Sequence, residues 1–249
     1  MMLGLGANLM LKNGGGGAAF SPTDIAGLLL WLDASQIVGL NDGDPVSTWT
    51  DLSYNNGDAT QSTGSKKPTF KIAVQNGRNA VRFDGVDDYI ENSIWTGLSG
   101  VSAATVLAVC RTTTANDYAF AWHSLDRMRV MQGTGQTAFS TASATIYGSY
   151  PQASTSTLVN TCIYDGSASG NANRLRTWID GSQQTLSFTG TVPATLDAGN
   201  GHTVGGQTGG GGGYDWSGDV CEVIVYGSAL SDANRQLLES YLRTKWGTP

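Results

Sequence analysis

Aromatic side chains that lie near turn residues are the part of this sequence best suited to ligand binding. Seven of them fall near Gly, Asn or Asp and outside the regular strand pattern, Trp95 and Tyr147 among them. Five are the candidates for a site, namely Tyr118, Trp122, Tyr150, Tyr214 and Trp216. Sugar rings stack on aromatic faces, while neighbouring Asn, Asp and Gln side chains hydrogen-bond the sugar hydroxyls. We therefore predict that these five residues bind carbohydrate, with packing into a hydrophobic core as the alternative for each of them.

Aspartate is the second residue type that could support a site, because many copies lie in turns. The sequence holds 17 Asp and 3 Glu, and the turn segments 41–44 and 84–88 contain two and three of the Asp residues, with Asp215 beside a glycine run. Calcium takes about six to eight oxygen ligands from such loops. Neither segment has EF-hand spacing, and Asp-Gly is also ordinary turn chemistry. We predict no cofactor and no metal ligand set, and structural calcium is left open as an alternative.

Residue patterns typical of hydrolases and zinc enzymes are missing from the sequence. A glycosidase needs two carboxylates about 5 to 10 Å apart, which closely alternating Glu and Asp on one strand would supply. The three glutamates, Glu91, Glu222 and Glu239, form no such strand. His123 and His202 lack Cys or His companions at zinc-ligand spacing. We predict that the chain is not an enzyme, with a glycosidase that uses Asp pairs as a weaker alternative.

Charge and cysteine content narrow the expected partners and compartment. The formal net charge of −6 argues against nucleic acid as a partner, because phosphate neutralisation needs clustered Lys and Arg. No stretch approaches the roughly 18 apolar residues of a spanning helix, so we expect no membrane partner. Cys110, Cys162 and Cys221 each lie in a strand-like run, which favours buried free thiols. Together with the lack of a basic signal-peptide start, this indicates assembly in a reducing cytoplasm.

Strand-like runs separated by turn residues recur along most of the chain. The segment 105–110 is apolar on both faces, which is typical of a strand covered on two sides. Asp180-Gly181 follows the run 175–179 and precedes Leu186 and Phe188, which predicts a β-hairpin.

The chain ends in a predicted helix over 232–245, with Ser231 as its N-cap. An apolar stripe on this helix should lie against a sheet, and it is formed by Leu237, Leu238, Tyr241 and Leu242. Many strands with one terminal helix predict an all-β fold, a two-sheet antiparallel β-sandwich or jelly roll with a C-terminal helix.

The first 20 residues differ from the rest of the chain. Residues 3–11 are mostly apolar, and the four glycines at 14–17 form a flexible joint. Because an apolar tail left in water is a liability, we predict that residues 1–20 form an extended arm that docks on a neighbouring subunit. An unattached terminus is the alternative. The predicted domain then covers 21–249.

Several segments resemble a known family when they are taken together. Leu-Trp-Leu-Asp-Ala-Ser at 30–35, the segments 41–53 and 81–89, and the ending at 216–226 and 241–247 are similar to concanavalin A-like lectin/glucanase domains of the LamG type, which occur in phages and bacteria. The resemblance covers about 21–249, with a weaker middle at 112–155. It implies a concanavalin A-like jelly roll of two antiparallel sheets. Hydrolytic members carry closely spaced Glu and Asp on one strand, which this chain lacks.

The resemblance and the sequence features lead to two hypotheses about function. The first is a non-enzymatic phage virion protein, a capsid decoration, tail or fibre-associated subunit, assembled in the host cytoplasm. Such a protein would be a homo-oligomer, would contact other virion subunits through its N-terminal arm, and would display a lectin-like surface for host glycans. The alternative is a carbohydrate-binding or adhesion module of a bacterial surface system. Fold resemblance alone does not separate the two, because one fold hosts many functions.

Overall fold

The structure is a computed structural model that describes residues 19–112, 117–122, 128–132, 139–140, 147–150, 154–207 and 215–249. Of the predicted arm, only Ala19 and Phe20 belong to these residues, so its docking and its boundary with the domain stay predictions. No helix in these ranges combines the length and apolar composition that a membrane span requires.

Seventeen strands, two α-helices and three short 3₁₀ helices make up the described part of the chain. The strands of the first half are β1 Leu28–Asp33, β2 Thr48–Trp49, β3 Ala59–Thr60, β4 Thr69–Gln75, β5 Arg78–Asp84, β6 Ile90–Asn92, β7 Ala103–Thr112 and β8 Asp117–Trp122. The later strands are β9 Met128–Gln132, β10 Phe139–Ser140, β11 Tyr147–Ser149, β12 Leu158–Asp165, β13 Leu175–Ile179, β14 Ser182–Gln184, β15 Ser187–Thr189, β16 His202–Val204 and β17 Ser217–Tyr226. The helices are α1 Asn171–Arg174 and α2 Asp232–Trp246, and the 3₁₀ helices are Pro22–Asp24, Ala34–Gln36 and Gly64–Lys66.

The strands form three antiparallel sheets. The eight-stranded sheet has the order β14-β13-β12-β7-β17-β5-β4, and β1 pairs with the half of β17 that β5 leaves free. The six-stranded sheet has the order β2-β3-β6-β16-β8-β9, and a small sheet has the order β10-β11-β15. The predicted hairpin turns at Asp180-Gly181, but its return strand ends at Gln184, because Phe188 lies in β15, which pairs with β11 instead.

The eight-stranded sheet is covered on both faces, as the apolar run at 105–110 predicts. One face packs on the six-stranded sheet through Val106 and Val223 against Phe120, in the larger core cluster. The opposite face packs on α2, where Leu107 and Ile224 share a second cluster with helix residues. The predicted all-β antiparallel sandwich with one C-terminal helix is therefore confirmed.

An irregularity in β17 places an acidic residue under the helix. Strict alternation would put Val220 and Glu222 on the same face, but the register against β7 shifts between these two residues. Val220 and Val223 belong to the core between the sheets, whereas Cys221 belongs to the core under α2. A bulge of this kind re-aims a side chain, and here it turns Glu222 towards α2.

Glu222 lies at the centre of a buried polar network. The indoles of Trp31 and Trp246 each donate a hydrogen bond of 2.7 Å to its carboxylate, and the Lys245 ammonium lies 2.7 Å from it. The same ammonium lies 2.5 Å from Asp33 Oδ2. Burial and the nearby Asp33 charge raise the pKa of Glu222 to about 7. Despite its burial, the pKa of Lys245 is raised to about 12, because two carboxylates surround it. The network therefore joins α2 to β1 and β17.

We expect Lys245→Met to lower the free energy of unfolding by about 3 to 5 kcal/mol, because it leaves two buried carboxylates without their cation. Urea unfolding followed by tryptophan fluorescence measures the change. Lys71→Met is the matched control, since Lys71 pairs with the exposed Asp42, and it should leave the midpoint nearly unchanged. Equal effects of the two substitutions would contradict the role assigned to the network.

Candidate functional site

The structure places four of the five predicted sugar-binding aromatics in the interior. Tyr118, Trp122 and Trp216 are 0% exposed and Tyr150 is 4% exposed. Trp122 and Trp216 belong to the core between the two large sheets. A stacking residue needs an accessible ring face, so these rings fill the core, as the alternative for each of them stated. Tyr214 lies outside the described residues.

Accessible aromatic rings lie instead at the surface, along a cavity that we call the aromatic groove. This cavity of about 1360 Å³ runs between β1 and α2. The segment after the first 3₁₀ helix and the loop after residue 51 complete its walls. The aromatic residues that line it are Phe20, Trp31, Tyr54 and Tyr241, and the polar ones include Ser21, Thr23, Gln36, Ser53, Arg78, Ser240 and Thr244.

One wall of the groove is a single face of α2. Leu237, Ser240, Tyr241, Thr244 and Lys245 line it, and they follow the spacing of neighbouring positions on a helix. The predicted apolar stripe is therefore divided. Leu238 and Leu242 are buried against the sheet, whereas Leu237 is 43% exposed and Tyr241 is only partly buried.

The rings of the groove are fixed by contacts beneath them. Phe20 meets Tyr241 edge to face, with 5.6 Å between the ring centroids and an interplanar angle of 70°. Trp31 is anchored by its hydrogen bond to Glu222. The Lys245 ammonium lies 5.3 Å from the centroid of the Tyr241 ring. Phe20, Trp31 and Tyr241 are therefore held in place before any ligand arrives.

A hydrogen-bonded loop presents Tyr54, the most exposed aromatic residue of the groove. The buried carboxylate of Asp51 accepts hydrogen bonds of 2.9 Å from the backbone N–H groups of Trp31, Ser53 and Gly57. Between these anchored positions, Tyr54 is 89% exposed. Its φ is +65°, a left-handed conformation that is uncommon for a bulky residue. Such conformations persist where the surroundings impose them and cluster at functional sites.

A second, more polar groove lies across the outer face of the six-stranded sheet. Its cavity of about 680 Å³ is lined by residues that include Thr60, Lys67, Tyr89, Glu91 and Ile94. Tyr89 is its only aromatic lining residue among those described, and the Lys66 ammonium lies 5.6 Å from the centroid of that ring. Ile94 is 79% exposed. This polar groove offers hydrogen-bonding groups and one partly exposed ring, and among the residues described it has no aromatic side chain as exposed as Tyr54.

Three of the aspartates singled out by the sequence come together at one turn. Carboxylate oxygens of Asp84, Asp87 and Asp88 lie within 4.8 Å of one another. Burial, followed by the charges of Asp84 and Asp87, raises the pKa of Asp88 to about 6. Asp215 is close enough that both Asp84 and Asp87 contribute to raising its pKa, after burial. The other predicted turn, 41–44, instead uses Asp42 to bind Lys71.

The chain is similar in fold to solved β-sandwich domains of low sequence identity. The Trypanosoma rangeli sialidase in complex with sialic acid matches 91% of this chain at 14% identity and a TM-score of 0.54, and the chain spans only 35% of that protein. Domain 4 of AbnA, a GH43 extracellular arabinanase from Geobacillus stearothermophilus in complex with arabinotriose, matches 86% of this chain and 98% of its own length, at 13% identity and a TM-score of 0.56. The botulinum neurotoxin serotype D binding domain matches 90% of this chain and 54% of its own, at 9% identity and a TM-score of 0.52.

These likenesses show the fold alone. No family model matches the chain, and no curated protein matches it. The predicted LamG-type membership and its phage context therefore gain no support, whereas the antiparallel β-sandwich fold is confirmed.

Sequence reasoning missed the residues of the aromatic groove for an identifiable reason. The predicted aromatics lie outside the regular strand pattern, whereas Trp31 and Tyr241 lie inside a strand and a helix that are otherwise core-forming. The available signal was Asp51-Leu-Ser-Tyr54-Asn-Asn-Gly57, an aromatic residue within a turn sequence. This aromatic has no strand or helix periodicity that would bury it.

We expect Asp88→Asn to stabilise the protein at pH 7 and to have little effect near pH 4. Because the pKa of Asp88 in the folded state, about 6, lies above its ordinary value, the native state binds an extra proton between about pH 4 and 6. The ionised form therefore destabilises the native state at neutral pH, and this penalty fades as the pH falls through 6. Removing the charge should add about 1 to 2 kcal/mol at pH 7, allowing for solvent screening.

Denaturant unfolding across this pH range, in the presence of EDTA, measures the effect. A variant profile that runs parallel to the wild-type profile would contradict it.

Proposed function

We propose that this chain is a carbohydrate-binding module whose ligand lies in the aromatic groove. The observation that supports this is the set of accessible aromatic rings, Tyr54 above all, beside exposed hydroxyl and amide groups. A sugar presents apolar C–H faces and a rim of hydroxyls, so it matches such a surface. Domain 4 of the arabinanase AbnA, which shares the fold, is in complex with arabinotriose.

The residues that line the aromatic groove fit sugar binding better than those that line the polar groove. Ser240 and Thr244 offer exposed hydroxyls from one helix face, and Gln36 offers an amide from the opposite wall. The cavity of about 1360 Å³ is larger than a typical small-molecule pocket of roughly 300–1,000 Å³. This size suits several linked sugar rings rather than one.

We also propose that the module binds without cleaving its ligand. Asp33, which lines the aromatic groove, and Glu222 beneath it are both buried and bound to Lys245. The exposed Asp24, between the lining residues Thr23 and Ile25, instead accepts a hydrogen bond of 2.9 Å from the backbone N–H of Ser21. Glycoside hydrolysis needs one carboxyl to protonate the leaving oxygen and another to act on the sugar. Buried and bound to the Lys245 ammonium, the carboxylates of Asp33 and Glu222 can reach neither the leaving oxygen nor the sugar ring of a ligand in the groove. Incubation with a panel of polysaccharides, followed by reducing-sugar assay, should show no hydrolysis, and measurable release of sugar would overturn this part.

The biological setting of the module stays a prediction in both of its forms, the phage virion subunit and the bacterial surface module. Location in the virion, homo-oligomerisation and contact through the arm depend on sequence features alone. Deleting residues 1–20 and measuring incorporation into particles tests the first form. Full incorporation of the truncated protein would remove the role of the arm.

Tyr54→Ala should weaken glycan binding at least about tenfold, corresponding to about 1.4 kcal/mol, because it removes the most accessible ring. The full chain is first tested on a glycan array, and the affinity for the best oligosaccharide is then measured by calorimetry. Tyr54 is 89% exposed, so its truncation should leave the thermal unfolding midpoint unchanged and separate binding from folding.

Ile94→Ala is the matched control, because Ile94 is a similarly exposed apolar residue that lines the polar groove. Its affinity should equal that of the wild type. If Ile94→Ala weakens binding and Tyr54→Ala does not, the ligand occupies the polar groove. An array without hits, with and without calcium, would overturn the proposed function.

Structural calcium is a separate proposal for the turn at Asp84, Asp87 and Asp88. Their carboxylate oxygens are close enough to share one ion, and calcium is bound by such oxygen ligands. Calcium at millimolar concentration should raise the unfolding temperature of the wild type more than magnesium does. Asp87→Asn should reduce that shift, and an unfolding temperature that is the same in calcium and in EDTA would contradict the site.

A further inference from the structure

The charged residues that line the aromatic groove do not balance one another. Among the described residues, Asp33, Lys245 and Arg78 are its charged lining residues. Asp33 and Lys245 are paired at 2.5 Å, and both are largely buried. Arg78 is exposed. Among the described residues that line this groove, a protein with a formal net charge of −6 therefore presents one accessible cation and no accessible carboxylate.

The position of Arg78 is fixed by the end of α2. Its Nε donates a hydrogen bond of 2.9 Å to the carbonyl oxygen of Lys245, which also accepts 3.0 Å from the Asn76 amide. This bond uses one of the five guanidinium N–H donors. In the described residues, no carboxylate pairs with Arg78. The two terminal nitrogens thus remain available to a ligand.

From this geometry we infer that the ligand of the aromatic groove is an acidic sugar chain, whose carboxylate or sulfate group is bound by Arg78. This inference rests on the proposed function and names the class of ligand for the same groove. A guanidinium matches the two oxygens of a carboxylate or sulfate with parallel hydrogen bonds. Thr244, on the α2 wall of the groove, offers an exposed hydroxyl as a further hydrogen-bond donor.

The charges beneath the floor of the groove do not cancel this preference. Glu222 is fully buried, and its carboxylate is already occupied by two indole N–H groups and the Lys245 ammonium. Its charge is therefore directed into the protein, whereas the guanidinium of Arg78 faces solvent. A longer polyanion such as nucleic acid would need several clustered cations, and the lining residues that the structure describes include none besides Arg78 and the paired Lys245.

A pair of ligands that differ only in charge tests the inference. Trigalacturonic acid and its methyl ester have the same sugar rings, and the affinity of the full chain for each is measured by calorimetry at low salt. We expect the acid to bind at least about tenfold more tightly than the ester, with an advantage that shrinks as salt screens the charge. A sulfated oligosaccharide and its desulfated form provide the second arm, which separates carboxylate from sulfate recognition.

Variants of Arg78 then assign the effect to this residue. Arg78→Gln keeps an N–H donor for the Lys245 carbonyl and should reduce the difference between acid and ester to within about twofold. Arg78→Lys keeps the charge without the planar fork and should restore part of the difference. Lys67→Gln, the matched control at the polar groove, should leave the difference intact.

The outcomes separate this inference from the proposed function. Equal binding of acid and ester, with an affinity that still falls in Tyr54→Ala, would overturn the acidic ligand and leave carbohydrate binding standing. Loss of the difference in Lys67→Gln would also overturn it. If no neutral or acidic oligosaccharide binds, the proposed function itself fails.

Discussion

The bulge in β17 and the buried carboxylate of Glu222 are the constraint on which the arrangement of helix and sheet depends. The register shift between Val220 and Glu222 lets valines face the sandwich core while Glu222 faces α2. A buried acid without partners would cost several kcal/mol. Two indole N–H groups and the Lys245 ammonium satisfy it, and they come from β1 and α2. The position of α2 over the sheet is thus set by directional bonds as well as by apolar packing.

The aromatic groove follows from that arrangement. Because Lys245 must reach Asp33 and Glu222, the C-terminal end of α2 lies close to β1, and the face that carries Ser240 and Tyr241 forms a wall. The opposite wall depends on the free edge of β1, whose backbone is bound by backbone and side-chain groups of the loop after β2 rather than by another full strand. Asp51 accepts from the Trp31 N–H, and the Asn55 amide donates to the Leu28 carbonyl. Covering an edge in this way prevents pairing with another chain, and the same loop holds Tyr54 outward.

Most of the fold could be predicted from the sequence, and most of the site could not. The doubly covered strand around Leu107, the turn at Asp180-Gly181 and the Ser231 cap depend on local patterns that packing leaves unchanged. The bulge at Cys221 has no local signal, because the run 220–226 is apolar at every position except Glu222 and alternation therefore assigns no face to its residues. Trp31 likewise lies in an apolar run, so its sequence neighbours do not show whether its ring faces a core or a groove. Only the placement of α2 decides that its ring lines a cavity.

The buried aromatics explain why aromatic content alone is a poor guide to sugar binding in such a sandwich. Trp122 and Trp216 lie near turn residues and yet fill the space between the sheets. Tyr54 stays exposed because its backbone is held in the left-handed region, between the hydrogen-bonded positions Asp51 and Gly57. At Gly57 a Cβ would lie 2.6 Å from a Leu30 methyl carbon and 2.9 Å from the Asp51 carboxylate, so the loop packs too closely here to accept any larger residue. The tight packing that fixes the backbone of the loop therefore also directs the Tyr54 side chain into solvent, and a backbone that is ordered beforehand costs no further ordering entropy when a ligand binds.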